Sequence, residues 1–469
     1  MPDNTLAFLS LTELADRIKS RNLSPVELTE SFLSRIERLN PSLHAYNCVT
    51  IEKARAQSQA AEQEIESGAY RGPLHGIPLG IKDLLYTQGI NTTASSQILK
   101  DFVPQSNSTV VDKLNASGAI CLGKTNLTEF ALSGYHPDLE VPVNPWNAKH
   151  WSGVSSSGSG VAVAAHLCCA AIGTDTGGSI RLPSAVNGVV GIKPTYGRVS
   201  RHNTIPLSDS LDHIGPMANS VMDAALVLNA IAGWDIEDPT SLPEPQTDFT
   251  QAIGDSLHGI KIGVDQTFNA QVDPEVAAAL NNAANALQTL GAEIVDVSVA
   301  GIEEGADRWF ALTAIEAAIY HKPSYPSRQD EFGPVFASLL EHGLSVTAEQ
   351  ASLAYTARSR VKQILAKTFL QVDMLLCPSA AGPAPSLEEF PPQMILPPEI
   401  IGPIVMYQAP FNFSGSPTIS VPMGFSQSGL PLSLQLVGRH CEESRIIQVA
   451  HAYEQATGWH KKIAPAAQL

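Results

Sequence analysis

Between residues 11 and 39 the apolar positions recur at helical spacing: Leu14 and Ile18 first, then Val26, Leu28, Phe32 and Ile36. Ser24 offers a side-chain cap, and Pro25 follows at the first helical position, where its missing N–H costs nothing. Two amphipathic helices are therefore predicted. A third is predicted over residues 51–67, a run rich in Ala, Glu and Gln that stops at Gly68. The pattern then changes. Residues 76–83 read Gly-Ile-Pro-Leu-Gly-Ile-Lys-Asp, a short apolar strand hemmed in by Gly and Pro with Lys82 at its end. A helix through residues 110–114 and a buried strand over 119–124 set an α/β alternation. Residues 152–160 are Ser and Gly broken only by Val154, and residues 161–172 are apolar and mostly small apart from His166, which predicts a largely buried helix. Residues 235–249 are acidic and proline-rich, the pattern of a surface connection. Strand-like runs resume at 260–264 and 293–297, so the same rhythm crosses that connection. The expected class is α/β, with one domain over residues 1–469 and a helical N-terminal part to about residue 67.

Composition narrows the range of functions. With 44% hydrophobic and 16% charged residues, the chain can bury a large core. Its formal net charge is -17, and no basic block or stripe is present to neutralise a phosphate backbone, which argues against nucleic acid as a partner. The six cysteines (Cys48, Cys121, Cys168, Cys169, Cys377, Cys441) form no CxxC and no zinc-like spacing with histidine, and read as reduced, buried small hydrophobes. No basic region followed by an apolar core opens the chain, and no apolar run is long enough to span a bilayer. The expectation is a cytoplasmic location without membrane association.

Three segments could carry chemistry. The loop Thr176-Gly177-Gly178-Ser179 can turn several backbone N–H groups toward one point, as an oxyanion requires, because glycine permits the necessary φ values and close approach. An ordinary turn is the other reading, and neither GxxxxGK[ST] nor GxGxxG surrounds the loop to suggest a phosphate cradle. Most lysines are solvated surface charges. A lysine at the end of an apolar strand can instead be desolvated, and lowering its pKa from ~10.4 to the ~7–8 useful for a base costs about 3–5 kcal/mol, which only a buried site sustains. Ser155, Ser156, Ser157 and Ser159 suggest a flexible linker by composition, yet they lead straight into an apolar helix pattern. A Ser-His-Asp triad through His150, His166 or His213 finds no recognisable motif, and loop or core histidines are the better reading of all three.

Taken together and in order, residues 76–83, 152–159 (Ser-Gly-Val-Ser-Ser-Ser-Gly-Ser) and 173–183 (Gly-Thr-Asp-Thr-Gly-Gly-Ser-Ile-Arg-Leu-Pro) resemble the amidase signature family. Residues 191–198, 373–378 and 429–439 extend the similarity, which is weakest between about 235 and 370. The resemblance implies one large domain with a mixed, twisted central sheet covered by helices on both faces. Its catalytic core would lie at about 68–234, and a more variable region at about 300–410 would line the substrate pocket. It also implies a Ser-cisSer-Lys triad that cleaves carboxylic amides, with esters and carbamates also fitting, through an acyl-enzyme and without metal or cofactor. Ser179 matches the nucleophile and Lys82 the base. Ser155 matches the bridging serine, lying 24 positions before Ser179 as the family's spacing requires, whereas Ser156 and Ser157 miss that register. The N–H groups of Thr176, Gly177, Gly178 and Ser179 match the oxyanion hole, with Asp175 and Arg181 as a bracing ion pair. Phe130, Tyr135 and Val154 are the pocket candidates; the two aromatics also read as core. Val154 departs from the family, which usually has glycine there. A small-molecule amide is the expected partner, and a homodimer is the base-rate assembly. Two other readings share the fold: the glutamine-hydrolysing subunit of a tRNA-dependent amidotransferase, whose relatives usually have glutamine where this chain has Leu182, and a non-catalytic binding protein.

Overall fold

Among the described residues, eleven strands join into one sheet. They are β1 (Tyr46–Val49), β2 (Pro78–Lys82), β3 (Ile120–Thr125), β4 (Ala170–Asp175), β5 (Val190–Lys193), β6 (His213–Ala218), β7 (Lys261–Val264), β8 (Glu293–Asp296), β9 (Met374–Pro378), β10 (Thr418–Phe425) and β11 (Pro431–Gly438). The spatial order is β1-β3-β2-β4-β6-β5-β10-β11-β9-β7-β8. The structure, a computed structural model, describes residues 5–245, 247–395 and 398–469. Met1–Asn4 of the N-terminal segment, Gln246 of the acidic connection and Leu396 and Pro397 of the variable region lie outside them.

The sheet is mixed. β2 runs parallel to both its neighbours, pairing Ile81 with Lys124 of β3 and with Ile172 of β4, while the middle strands from β4 through β6, β5, β10, β11 and β9 alternate in direction. Parallel strands aligned this way end on the same side, where α/β sheets carry their sites. The carboxyl ends of β2 and β4 are Lys82 and Asp175. Helices flank the sheet. Val221–Ile231, Pro274–Thr289 and Glu443–Thr457 form one group, and the short helices Ser157–Ala164 and Arg181–Asn187 pack on each other and on the central strands. Between β8 and β9 the chain leaves the sheet to form Glu304–His321, Pro334–Ser345 and Ala348–Thr368.

The N-terminal helices form as their pattern predicts. Leu11–Lys19 starts in a capping box between Ser10 and Glu13, and Pro25–Leu43 is capped by the Ser24 hydroxyl. One prediction fails. The apolar run 161–172 is not one helix: Ser157–Ala164 is helical, His166 turns into a left-handed conformation at φ 53°, and Ala170 begins β4. A continuous apolar run has no period by which a buried helix can be told from a buried central strand. The cysteines are free, but they are not uniformly buried: Cys48 is half-buried and Cys441 exposed.

Candidate active site

Lys82 ends β2 wholly buried, and its Nζ lies 2.8 Å from each of three hydroxyls, those of Ser155, Ser156 and Thr174. Burial drives its pKa well below the ordinary lysine value, and the nearby Asp212 and Asp175 carboxylates offset that only in part. Thr174 reaches the lysine because β4 lies beside β2 in parallel register. The serines reach it because the helix Ser157–Ala164 packs on both strands with its amino end toward the site.

The two serines beside Lys82 differ in what else they touch. Ser156 Oγ donates to the Thr174 carbonyl at 3.1 Å and accepts from the Thr174 N–H at 3.2 Å, so its proton is committed. Ser155 Oγ has Lys82 as its one partner among the described residues. Ser157 is turned elsewhere, hydrogen-bonded to the Tyr135 hydroxyl. The peptide bond between Val154 and Ser155 is cis. Gly153 beside it has φ +90°, and a Cβ there would come within 2.6 Å of Pro183 Cα, so only glycine fits. The Ser156 N–H donates to the Ser179 carbonyl at 3.2 Å, tying the serine-rich loop to the segment that carries Ser179. Ser179 is 7% exposed where Lys82 and Ser155 are 0%, and its hydroxyl has no partner among the described residues.

A buried carboxylate shapes the loop before Ser179. Asp175 Oδ1 accepts from the Gly178 N–H at 2.8 Å and Oδ2 from the Ile180 N–H at 3.1 Å. Arg181 holds the same carboxylate at 2.9 Å with both Nε and NH2, and Asn412 Nδ2 adds a bond at 2.8 Å. Burial alone would raise the Asp175 pKa; the Arg181 guanidinium, Lys193 and Asn412 outweigh it and hold the carboxyl well below the usual range. Gly178, at φ +116°, thus spends its N–H inside the loop, a correction to the set of four amides expected to face an oxyanion. The amides of Thr176, Gly177 and Ser179 have no acceptor among the described residues. Thr176 is pinned from two sides, its hydroxyl donating to Asp212 Oδ1 at 2.5 Å and its carbonyl accepting from Trp309 Nε1 at 3.0 Å.

Trp309 also covers Gly177 so closely that a Cβ there would lie 2.6 Å from the indole. It thereby joins the loop to a cleft of about 480 Å³ lined by residues of Glu304–His321 and Pro334–Ser345, by Ile395, and by Ile401, Gly402, Val405 and Met406. The walls are almost entirely apolar, with Leu132, Phe310, Val335, Leu339, Ile401 and Met406 among them; among the described residues Asp307 is the one charged side chain in the lining. Phe130 and Tyr135 are not part of it. Phe130 is buried against His321, Phe332 and Phe336, and Tyr135 is buried with its hydroxyl on Ser157. Both are core residues; Leu132 and Ser133, which lie between them in the chain, face the cleft instead. Val154 is half-buried and packs against the cluster of Trp151, Leu182 and Val186. Trp309 and Asp307 escape sequence reasoning because they sit in no motif; a tryptophan in a helix whose indole N–H needs a partner was the one available signal. His150, His166 and His213 each bond a backbone carbonyl (Ala384, Ala7 and Leu211), and none bonds a serine.

The family model described as Amidase matches residues 27–447. A Mycobacterium tuberculosis protein named "Putative amidase AmiD" is 42% identical over 466 residues, covering 99% of this chain and 98% of that one. A glutamyl-tRNA(Gln) amidotransferase subunit of Thermosynechococcus vestitus is 39% identical, covering 96% and 98%. The X-ray structure of the peptide amidase of Stenotrophomonas maltophilia superposes with a TM-score of 0.83 at 32% identity, covering 96% of this chain and 97% of that one. The chain belongs to the amidase signature family of hydrolases.

Proposed function

We propose that the protein hydrolyses carboxylic amides through an acyl-enzyme on Ser179, with Ser155 as proton relay and Lys82 as base. What carries this reading is the buried Lys82 Nζ at 2.8 Å from a serine hydroxyl that has no other partner among the described residues. A desolvated lysine is neutral at a pH where an exposed one is charged. Neutral Nζ has two protons and one lone pair. Ser156 and Thr174 are suited to accept the protons, since the Ser156 proton is already committed to a carbonyl. The lone pair then faces Ser155.

In this mechanism Lys82 takes the Ser155 proton as Ser155 takes that of Ser179, whose oxygen attacks the substrate carbonyl. Charge developing on the carbonyl oxygen meets the amides of Thr176, Gly177 and Ser179. The relay returns a proton to the leaving nitrogen, and water then cleaves the ester by the same route. Esters and carbamates suit an acyl-enzyme as well. The substrate arm seated in the apolar cleft would be hydrophobic and carry no carboxylate, which fits a free-standing amidase better than a glutaminase, since the described residues of the lining include no lysine, arginine or histidine for a glutamine carboxylate.

The test is a panel of aliphatic, aryl and peptide C-terminal amides, esters and carbamates against wild type and Ser179→Ala, with mass spectrometry after a serine-directed sulfonyl or phosphonate probe. Turnover and a single adduct on Ser179, both lost in Ser179→Ala, are expected. A protein that binds these compounds with neither turnover nor labelling would be the non-catalytic relative, and turnover of glutamine alone would make it the amidotransferase subunit.

A further inference from the structure

A second cavity, narrow and of about 20 Å³, reaches Lys82 by way of Thr174. One water needs roughly 10–15 Å³ by this measure. Its lining runs from the buried Thr174, Thr176 and Asp212 to Arg201, Thr204 and the exposed Asp209, and it shares no residue with the apolar cleft. The polar atoms around it are incompletely satisfied. Thr204 Oγ1 and Arg201 Nε are buried without a hydrogen-bond partner among the described residues. Thr174 Oγ1 accepts from Lys82, and no described residue accepts its own proton. Buried polar atoms in a cavity large enough for water are ordinarily satisfied by it.

We propose that this cavity holds an ordered water bridging the Thr174 and Thr204 hydroxyls, and that the chain Lys82–Thr174–water carries protons between the lysine and solvent at Asp209. The inference rests on the hydrolase reading for its purpose. Lys82 must be neutral before each acylation, and a substrate or acyl group in the cleft closes the front of the site. Transfer along the chain is balanced: the ammonium gives a proton to Thr174 Oγ1, the threonine gives its own to the water, and the water passes one outward, so that Lys82 loses a proton and solvent gains one. The charged groups facing this path are the carboxylates of Asp175 and Asp212 near the lysine and Arg201 and Asp209 at the outer end.

A water that accepts the Thr174 proton makes Thr174 Oγ1 a better acceptor for the ammonium and so stabilises its charged form; removing the water lowers the lysine's pKa and moves the acid limb of kcat/KM to lower pH. Thr204→Val keeps the side-chain shape and deletes the hydroxyl. The experiment is a crystal structure of wild type, Thr204→Val and Thr204→Ser at a resolution that shows water, with the pH dependence of kcat/KM for each. The expected result is water density in wild type and Thr204→Ser, none in Thr204→Val, and an acid limb lower by roughly half a pH unit or more in Thr204→Val alone. A dry cavity in wild type overturns the proposal, as does a Thr204→Val protein that loses the water and keeps its acid limb. Should wild type turn over no amide, ester or carbamate, the hydrolase reading fails by itself, and the density still decides the water site.

Discussion

Ser155 and Ser156 stand at the same 2.8 Å from Lys82 Nζ, and only their remaining hydrogen bonds separate them. Ser156→Ala removes a hydroxyl that bonds both backbone groups of Thr174, so its effect belongs to positioning and stability. In the proposed mechanism Ser155→Ala removes a proton carrier. We expect kcat to fall about 10²–10⁴-fold in Ser155→Ala, and Ser156→Ala to keep more activity and lose more in Tm, measured by steady-state kinetics and thermal unfolding. Lys82→Arg should be as inactive as Lys82→Met, because arginine cannot give up its proton. For wild type the sign of the pH dependence follows from the depressed lysine pKa: activity rises as pH climbs through it and stays high on the neutral side, whereas an exposed lysine base would require strongly alkaline conditions. In the sequence it is the resemblance to the family, with its spacing to Ser179, that singles out Ser155, and in the structure the hydrogen bonds leave that serine's proton free. Spacing could not reveal that Gly178 spends its amide on Asp175, since that depends on where a carboxylate three residues earlier folds back.

At the scale of elements, the strand-to-helix turn from Asp175 to Arg181 is held by a fully buried ion pair. Such a pair is weak evidence for stability, yet removing one partner leaves an uncompensated buried charge at a cost of about 3–5 kcal/mol. Arg181→Met is therefore expected to lower the unfolding free energy by that order and to disorder the Ser179 loop, read by denaturant unfolding and by loss of probe labelling. Elsewhere a buried Glu454 on the helix Glu443–Thr457 accepts from the Val221 N–H, the start of Val221–Ile231, at 2.8 Å. Burial pushes its pKa to about 8, with Asp223 adding to the rise. The folded protein thus binds a proton that the unfolded chain releases near ~4.3, so this contribution is complete at low pH and is lost as pH rises through about 8. Glu454→Gln, which retains the accepting oxygen, should flatten the fall in Tm between pH 5 and 8. These long-range pairings were illegible in the chain, as was the break of the run 161–172 into helix and strand; the amphipathic helices near the N-terminus were legible because one face meets solvent and leaves a period.

Across the whole molecule, one sheet gathers distant segments at the carboxyl ends of β2 and β4, and an excursion between β8 and β9 supplies half of the described wall of the apolar cleft beside Gly177. The segments around Lys82, Ser155 and Ser179 were recognisable because chemistry restricts residue type; the wall was not, since many apolar side chains fill it equally well. Its charge is still informative. Asp307 is exposed at the rim of the cleft, on the first turn of Glu304–His321, and no cationic side chain joins it among the described residues of the lining. At about 4 Å in water two unit charges interact by about 1 kcal/mol, roughly a five-fold factor in kcat/KM. Amides of equal length ending in a carboxylate, a neutral group or an ammonium should therefore be turned over in rising order, by a few-fold at each step. The differences should shrink as salt is added, and Asp307→Asn should erase them while leaving the neutral amide unaffected. Equal rates for the three substrates, or an order unchanged in Asp307→Asn, would mean that the far end of the substrate never approaches this rim and leaves the cleft by another side.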